Sequence, residues 1–533
     1  MMLNFKIKII GLSVAISALI SSSLHAQFSN IKNDVFWNTA DQQPIYSQGG
    51  GVFRFTDPLS KQQKYYWYGV HYAEADLYRQ NPAVTHQNAT FESVTCYSST
   101  DLVNWSKEKD VLTKEYLNNF GGKTWVGRLG VVFIKPLKQY AMFVQHGKKV
   151  LVAVSDSPTG NFTFHQEIDM TPFIGTSNTG DQTVFTDEES GKSYLIYSYG
   201  RGRNKIYVSE IGVKDSKVTI LDCKEVFKGE SREGNCMFKY KGKYYMCASN
   251  IYGWDSSYAY FLVADNIRGP YKPANSMKIM DGCENDFAHV TQTGFFVSVK
   301  GTKQETIIFC GDRWANFAGN GLGYNQWVPL SFSGTEPFFN SLSSWNLNEK
   351  TGQWTVGNDN NYILNGSFEA DRNRIPSTVK PVQEQLTGWK TNIIKGNKLS
   401  TSRPNTPFLN YPNTEGDRQL VTGEKSLCIS DSVDFVRTVT QTINSSPAVV
   451  LPDGVYELKF KAKTKGLFNQ LKIFASSNNN QIEQPIITTG TDWKEINLAN
   501  IRIEKGSVQI SFYADGLPNS VCLIDDVALT RLK

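Results

Sequence analysis

Between about residue 45 and residue 335 the chain repeats one alternation of apolar and polar positions: an aromatic strand, a short turn, then a second strand carrying polar residues. The aromatic member recurs at Tyr65-Tyr66-Trp67-Tyr68-Gly69, Tyr140-Ala141-Met142-Phe143-Val144, Tyr194-Leu195-Ile196-Tyr197-Ser198, Tyr244-Tyr245-Met246-Cys247-Ala248 and Ile307-Ile308-Phe309-Cys310-Gly311. Gly and Pro turns separate the strands, as at Ser157-Pro158-Thr159-Gly160. Five such units predict an all-β fold in which five small antiparallel sheets are arranged radially, a five-bladed β-propeller over residues 27–345. Innermost strands of such a fold surround a channel, where polar side chains of different blades converge. A long β-sandwich or β-helix fits less well, because the repeat period is long and uneven.

Residues 346–361, rich in Asn, Gly and Thr, read as a linker to a second domain over 362–533. That domain opens with Ile363-Leu364-Asn365-Gly366-Ser367-Phe368-Glu369 and closes with Cys522-Leu523-Ile524-Asp525-Asp526-Val527-Ala528-Leu529. Period-two alternation between them predicts a β-sandwich of the jelly-roll type. Such modules often bind carbohydrate. Trp389 or Trp493 is then either a sugar-stacking platform or a core residue, the core being favoured. Glu369 with Asp525 or Asp526 offers hard oxygens to a structural calcium ion.

Lys6 and Lys8 precede an apolar run from Ile9 to Ile20, and Leu24-His25-Ala26 ends on a small residue, so residues 1–26 read as a signal peptide for export to periplasm or medium. No later stretch approaches the roughly 18 apolar residues that span a bilayer. The formal charge of +5 includes both leader lysines, which leaves too diffuse a charge for a nucleic-acid partner. Aromatic content of 13% with many Gly and Asn residues suits sites that stack flat faces on sugar rings, and the chain is expected to act as a monomer on an oligo- or polysaccharide. Eight cysteines permit disulfides, but none form a CxxC pair; Cys428 with Cys522 is one pairing and simple burial is the other reading. No cluster has the spacing of a catalytic zinc site, and no cofactor is required.

The segment Ser231-Arg232-Glu233-Gly234-Asn235-Cys236 sets one carboxylate at the mouth of an aromatic strand pair. Apolar surroundings disfavour the charged form and raise the pKa, so Glu233 is the leading proton donor, although on its own it reads more simply as a solvated strand-end glutamate. Asp181, after Asn178-Thr179-Gly180, reads on its own as a turn or cap residue.

Several segments together resemble glycoside hydrolase family 43, especially its exo-β-1,3-galactanase-like members, over roughly residues 35–335. They are Gln48-Gly49-Gly50-Gly51-Val52-Phe53, Tyr65 to Gly69, Tyr97 to Trp105, Gly180-Asp181-Gln182-Thr183, Arg232-Glu233, Val290-Thr291-Gln292-Thr293-Gly294 and Gly311-Asp312-Arg313-Trp314. The resemblance implies that Glu233 is the general acid and that Asp181 tunes its pKa, consistent with an ionised neighbour disfavouring proton loss. It implies inversion, with a second group set about 6.5–9.5 Å away across the sugar to leave room for water. The first-blade aspartate of most members is absent here, since Gln48-Gly49-Gly50-Gly51 occupies that region; as in galactanase-like members, Gln292 is expected to position or deprotonate the water.

Relatives of that type carry a glutamate before the arginine at the place of Gly127-Arg128, so β-1,3-galactan itself is in doubt and another galactoside or a pentose is admitted. The substrate-binding candidates are Gln48, Trp125, Arg128, Trp254, Asp312, Arg313, Trp314, Asn325 and Trp327, each with a packing or ion-pair role as the alternative; His289 is weighed for a channel site. The expected function is an exported, exo-acting glycoside hydrolase releasing galactose or a related sugar from plant-type polysaccharide side chains. The alternatives are a non-catalytic carbohydrate-binding propeller, and an arabinosidase or xylosidase of the same family.

Overall fold

The five recurring aromatic segments form the second strands of five separate sheets. In the computed structural model, which describes residues 28–86, 88–119, 126–177, 180–199, 203–229, 231–249, 251, 259–276, 278–279, 291–313, 325–370, 386–398, 410–488 and 492–532, those strands are Gln63–Tyr72, Gln139–His146, Lys192–Tyr199, Lys243–Ser249 and Glu305–Asp312. Each pairs antiparallel with the strand before it, respectively Gln48–Thr56, Leu129–Ile134, Gln182–Asp187, Glu233–Tyr240 and Gln292–Lys300. Third and fourth strands add in chain order, and a short parallel strand, Lys278–Ile279, joins the edge of the fifth sheet. The leader expected over residues 1–26 lies outside the described residues.

The second strands are buried on both faces because every sheet shares a core with the next. Tyr66 and Tyr68 of the first sheet pack with Met142 and Val144 of the second. Ala141 and Phe143 pack with Leu195 and Tyr197 of the third, and Tyr194 and Ile196 with Met246 and Ala248 of the fourth. Tyr245 and Cys247 then pack with Ile307 and Phe309 of the fifth. Between fifth and first sheets lies a tryptophan-rich cluster: Trp67 and Trp105 against Phe295 and Trp327, with Trp67 and Trp327 ring centroids 5.0 Å apart. The first strands of the five sheets also touch in succession, the fifth beside the first.

The expected linker at 346–361 is corrected in part. Ser344–Leu347 and Trp354–Val356 are strands, and the former pairs with Ser29–Lys32 near the start of the chain. The cause is an inward alternation that sinks Trp345 and Leu347 into the fifth-to-first cluster, where the Trp345 indole donates to the Trp327 carbonyl at 2.9 Å. Asn33 fastens the same junction: its amide donates to the carbonyls of Trp327 and Leu342 at 2.8 and 2.7 Å and accepts from the Trp327 N–H at 2.8 Å.

The remainder holds two five-stranded sheets, one containing Phe435–Asn444, Phe468–Ser477 and Ser507–Gly516, the other Lys425–Ser430, Gly454–Lys465, Lys494–Ile503 and Val521–Arg531. Alternate residues of both, among them Val439, Ile473 and Phe512 from one and Leu427, Phe460 and Ile524 from the other, enter one core. Trp389 belongs to that core, and buried Trp493 donates its indole N–H to Asp417 at 2.9 Å, so neither is a sugar platform. Cys428 and Cys522 are both free thiols, buried on adjacent strands. No described helix is long and apolar enough to cross a membrane.

Removing a fully buried indole from the fifth-to-first junction leaves a large cavity. Trp327→Ala is expected to lower stability by about 3–5 kcal/mol in chemical denaturation, whereas a loss under about 1 kcal/mol, the scale of a surface change, would show that this cluster does not hold the two sheets together.

Candidate active site

In a four-stranded antiparallel sheet the entrance of the first strand and the exit of the second lie at the same end. The residues at or just before the five first-strand entrances are Gln48, Arg128, Asp181, Glu233 and Gln292, one from each sheet. Four of them bond together directly. Arg128, buried, donates through Nε to Asp181 Oδ2 at 3.1 Å and through Nη2 to Gln292 Oε1 at 2.7 Å. Its Nη1 reaches Asp312 Oδ2, at the exit of the fifth sheet's second strand, at 2.9 Å. Gln292 donates its Nε2 to Glu233 Oε1 at 2.7 Å. Arg203, between the second and third strands of the third sheet, bonds both Asp181 and the other Glu233 oxygen, Oε2.

Backbone irregularities aim these side chains. Register breaks fall between Gln48 and Gly51, between Glu233 and Cys236, and between Thr293 and Phe295, at the entrances of three first strands. A bulge of this kind bends the strand and re-directs a side chain. At the fourth sheet the bulge needs Gly234: its φ is +61°, and a Cβ there would lie 2.5 Å from Thr293 Oγ1 and 2.6 Å from the Thr293 carbonyl oxygen. The Gly234 N–H then donates to Asp181 Oδ2 at 2.9 Å, and the Asn235 amide donates to the Asp181 carbonyl at 2.9 Å.

The electrostatics separate the two nearest carboxylates. Burial and then the Asp181 charge push Glu233 up to about 8, against the opposing pull of Arg203, Arg128 and the Gln292 bond. Burial works against ionised Asp181 too, but Arg128, Arg203 and the Gly234 N–H hold it below its usual range. Asp181 therefore stays charged while Glu233 retains its proton near neutrality, the division of labour expected of a proton donor and its orienting partner.

Several of the substrate-binding expectations are corrected. Trp327 is fully buried in the fifth-to-first core, out of reach of a ligand. Arg313 is buried and ion-paired with Asp34 near the start of the chain, and Asp312 is committed to Arg128 and to the Gly49 N–H at 3.5 Å. Arg128 is neither a surface ion pair nor an open sugar contact; it is the centre of the cluster. Gln292 was expected across the sugar from Glu233 and instead touches it, so in this arrangement no sugar fits between them. Asn325 is buried, paired in register with Asp312, and Gln48 lines a small pocket with Tyr46, Tyr72 and Arg79. Trp125, Trp254, Trp314 and His289 lie outside the described residues.

Arg203 escaped the sequence reading. Its signal is topological: the turn between second and third strands opens at the same end as the first-strand entrances, so an arginine just before Lys205–Lys214 belongs with Glu233.

Away from this cluster, Glu369 and Asp525 are buried with no ion-pair partner among the described residues. Burial pushes Glu369 up to about 8, and burial together with Asp526 and Glu369 raises Asp525. Their oxygens take only neutral donors: the Lys425 N–H at 2.7 Å for Glu369, and Asn413, Ser426 and the Asp526 N–H for Asp525. No group of three or more His, Cys, Asp or Glu side chains suited to a metal occurs among the described residues.

Residues 59–321 match the model of glycosyl hydrolases family 43. That span holds Asp181, Glu233, Gln292 and Arg128, so the candidate site lies within the stretch that matches family 43, and the chain is a glycoside hydrolase. Among solved structures it is similar to the exo-β-1,3-galactanase of Phanerochaete chrysosporium bound to β-1,3-galactotriose, with 19% identity, TM-score 0.52, and 93% of this chain and 99% of that one covered. It is similar also to an exo-β-1,3-galactanase from Clostridium thermocellum, with 19% identity, TM-score 0.53, and 88% and 100% covered. At such identities the likeness is one of fold. No curated protein matches the chain.

Because the bulge at Gly234 sets the direction of Glu233, Gly234→Ala is expected to cut kcat/KM for sugar release by about 100-fold with the fold retained by circular dichroism. Activity within about threefold of wild type would mean that the bulge does not position the carboxyl.

Proposed function

We propose that the chain is an exported, monomeric, exo-acting and inverting glycoside hydrolase that releases terminal galactose from galactan-type side chains, its five sheets being the blades of a β-propeller and its last two a β-sandwich module. The observation that carries the reading is the pairing at one sheet end of a protonated Glu233 with an ionised Asp181, inside the family-matched span. Glu233 gives its proton to the glycosidic oxygen as the C1–O bond breaks, and water adds to C1 from the opposite face. The proton released by that water returns through solvent to Glu233. Asp181 and Asp312 are both held by arginine and backbone N–H groups, so neither is free to attack C1 as a nucleophile, which supports direct displacement by water. Gln292, its oxygen held by Arg128 and its nitrogen on Glu233, is the group placed to position that water once the sugar parts the two side chains.

Galactose as the sugar is supported by the exo-β-1,3-galactanases of similar fold. Gly127, where a carboxylate would otherwise reach the sugar, argues for a linkage or substituent other than plain β-1,3-galactan. The contact between Gln292 and Glu233 favours one competing reading, a propeller that binds sugar without turning it over.

Glu233→Gln separates the two. It is expected to lower kcat/KM on arabinogalactan or β-1,3-galactan by about 10²–10⁴-fold, and proton NMR of the first product from the wild type should show the inverted anomer. Release of no sugar by the wild type from arabinogalactan, β-1,3-galactan, arabinan or xylan would establish the binding reading, and release of arabinose or xylose alone would move the specificity within the family.

The buried Glu369 and Asp525 must either protonate or share a cation, and we propose that they bind calcium as a structural ion. Millimolar calcium is then expected to raise Tm at pH 7 and a chelator to lower it, with Glu369→Gln abolishing the response; a Tm indifferent to both contradicts the proposal.

A further inference from the structure

Both oxygens of Glu233 carry donors in the substrate-free site: Gln292 on Oε1 and the Arg203 guanidinium on Oε2. The two donors are not equally fixed. Gln292 is buried and held from behind by Arg128, whereas Arg203 is one-third exposed, the most open of the charged side chains in the cluster. A guanidinium on Oε2 favours the carboxylate form and so weakens the hold of a proton donor on its proton. Arg203 has a second anchor, Asp181 Oδ1 at 3.4 Å, which keeps it in the site if the bond to Glu233 is given up.

We propose that Arg203 is a positioning residue with two stations: on Glu233 in the free enzyme, and on the hydroxyls of the leaving-side sugar in the complex, so that substrate entry itself draws away a cation that weakens the acid's hold on its proton. This rests on Glu233 being the general acid. The guanidinium, tethered by Asp181, exchanges one acceptor for another of the same geometry, and hydroxyl-rich glycans supply such acceptors on the side of the scissile bond that Glu233 must protonate. Among the described residues the charges facing Glu233 are few. Asp181 and Arg203 come from the third sheet, Arg128 from the second, and Asp312, beyond Arg128, from the fifth. The first sheet contributes neutral Gln48, and the adjacent Arg232 turns away, its guanidinium 4.3 Å from the Tyr260 ring centroid. Arg203 alone of these touches the acid and is partly open to solvent.

The pH dependence of kcat/KM reports the free enzyme and that of kcat the complex, so the two stations are separable. A general acid must be protonated, and activity is lost as pH rises through its pKa. Arg203 lowers that pKa only where it is bonded. In Arg203→Ala and Arg203→Gln, assayed on β-1,3-galactotriose or on the glycan of the panel that releases sugar, the alkaline limb of kcat/KM is expected to move up by at least about one pH unit while the limb of kcat stays in place. Equal movement of both limbs would show that Arg203 never leaves Glu233, and no movement of either would show that it does not govern the acid; each overturns the proposal. Full activity of Glu233→Gln, measured alongside, would instead remove the reading of Glu233 on which it rests.

Discussion

One buried guanidinium decides how this end of the molecule is built. Arg128 spends its nitrogens on Asp181, Asp312 and Gln292, which arrive from two other sheets, and it does so with almost no water to share the load. A buried charge left without partners costs several kcal/mol, so the sheets are not free to slide or splay at this end without exposing that cost. The same bonds fix the Gln292 amide: with its oxygen held by Arg128, the nitrogen must face Glu233. From one interaction follow the relative placement of the strand entrances, the orientation of the amide and the ionised state of Asp181.

The chemistry then follows from unequal environments for similar groups. Asp181 has two arginines and a backbone N–H, and stays charged; Glu233 is buried with a single guanidinium in contact, faces that charge, and keeps a proton. Asp312, the deepest of the three acids, is raised by burial against the pull of Arg128 and is walled off from any ligand. Three carboxyl groups at one sheet end thus take three roles, set by solvent access and arginine contacts rather than by residue type. The bulges at Gln48, Glu233 and Gln292 express the same division in the backbone, bending the strand entrances where side chains must leave the pleat.

Much of this was legible in the chain. The aromatic second strands announced themselves by composition, since they are covered on both faces and so tolerate almost no polar residue from Tyr65 to Val70. Glu233 stood out as a carboxylate at the mouth of an aromatic strand pair, while the roles of Asp181 and Gln292 came from the resemblance to family 43; all three lie at or just before first-strand entrances. Single residues were misjudged where polarity alone does not tell depth. Trp327 begins two residues into a strand at the site end, yet its side chain turns to the tryptophan cluster; Arg313 follows Asp312 directly and points to Asp34 instead. The strands inside 346–361 were hidden by their Asn and Gly content, and only Trp345 and Leu347 signalled that the segment had a buried face. Arg203 required knowing which turn opens at which end, a property of topology rather than of local sequence.

The account stands or falls on Glu233 holding a proton in the folded, substrate-free protein. Titration of its carboxyl ¹³C resonance, assigned by its disappearance in Glu233→Gln, measures this directly. A midpoint near the value of about 8 set by its surroundings is the predicted result. A midpoint at the ordinary glutamate value of about 4.3 would place the carboxyl in solvent and contradict the site described above.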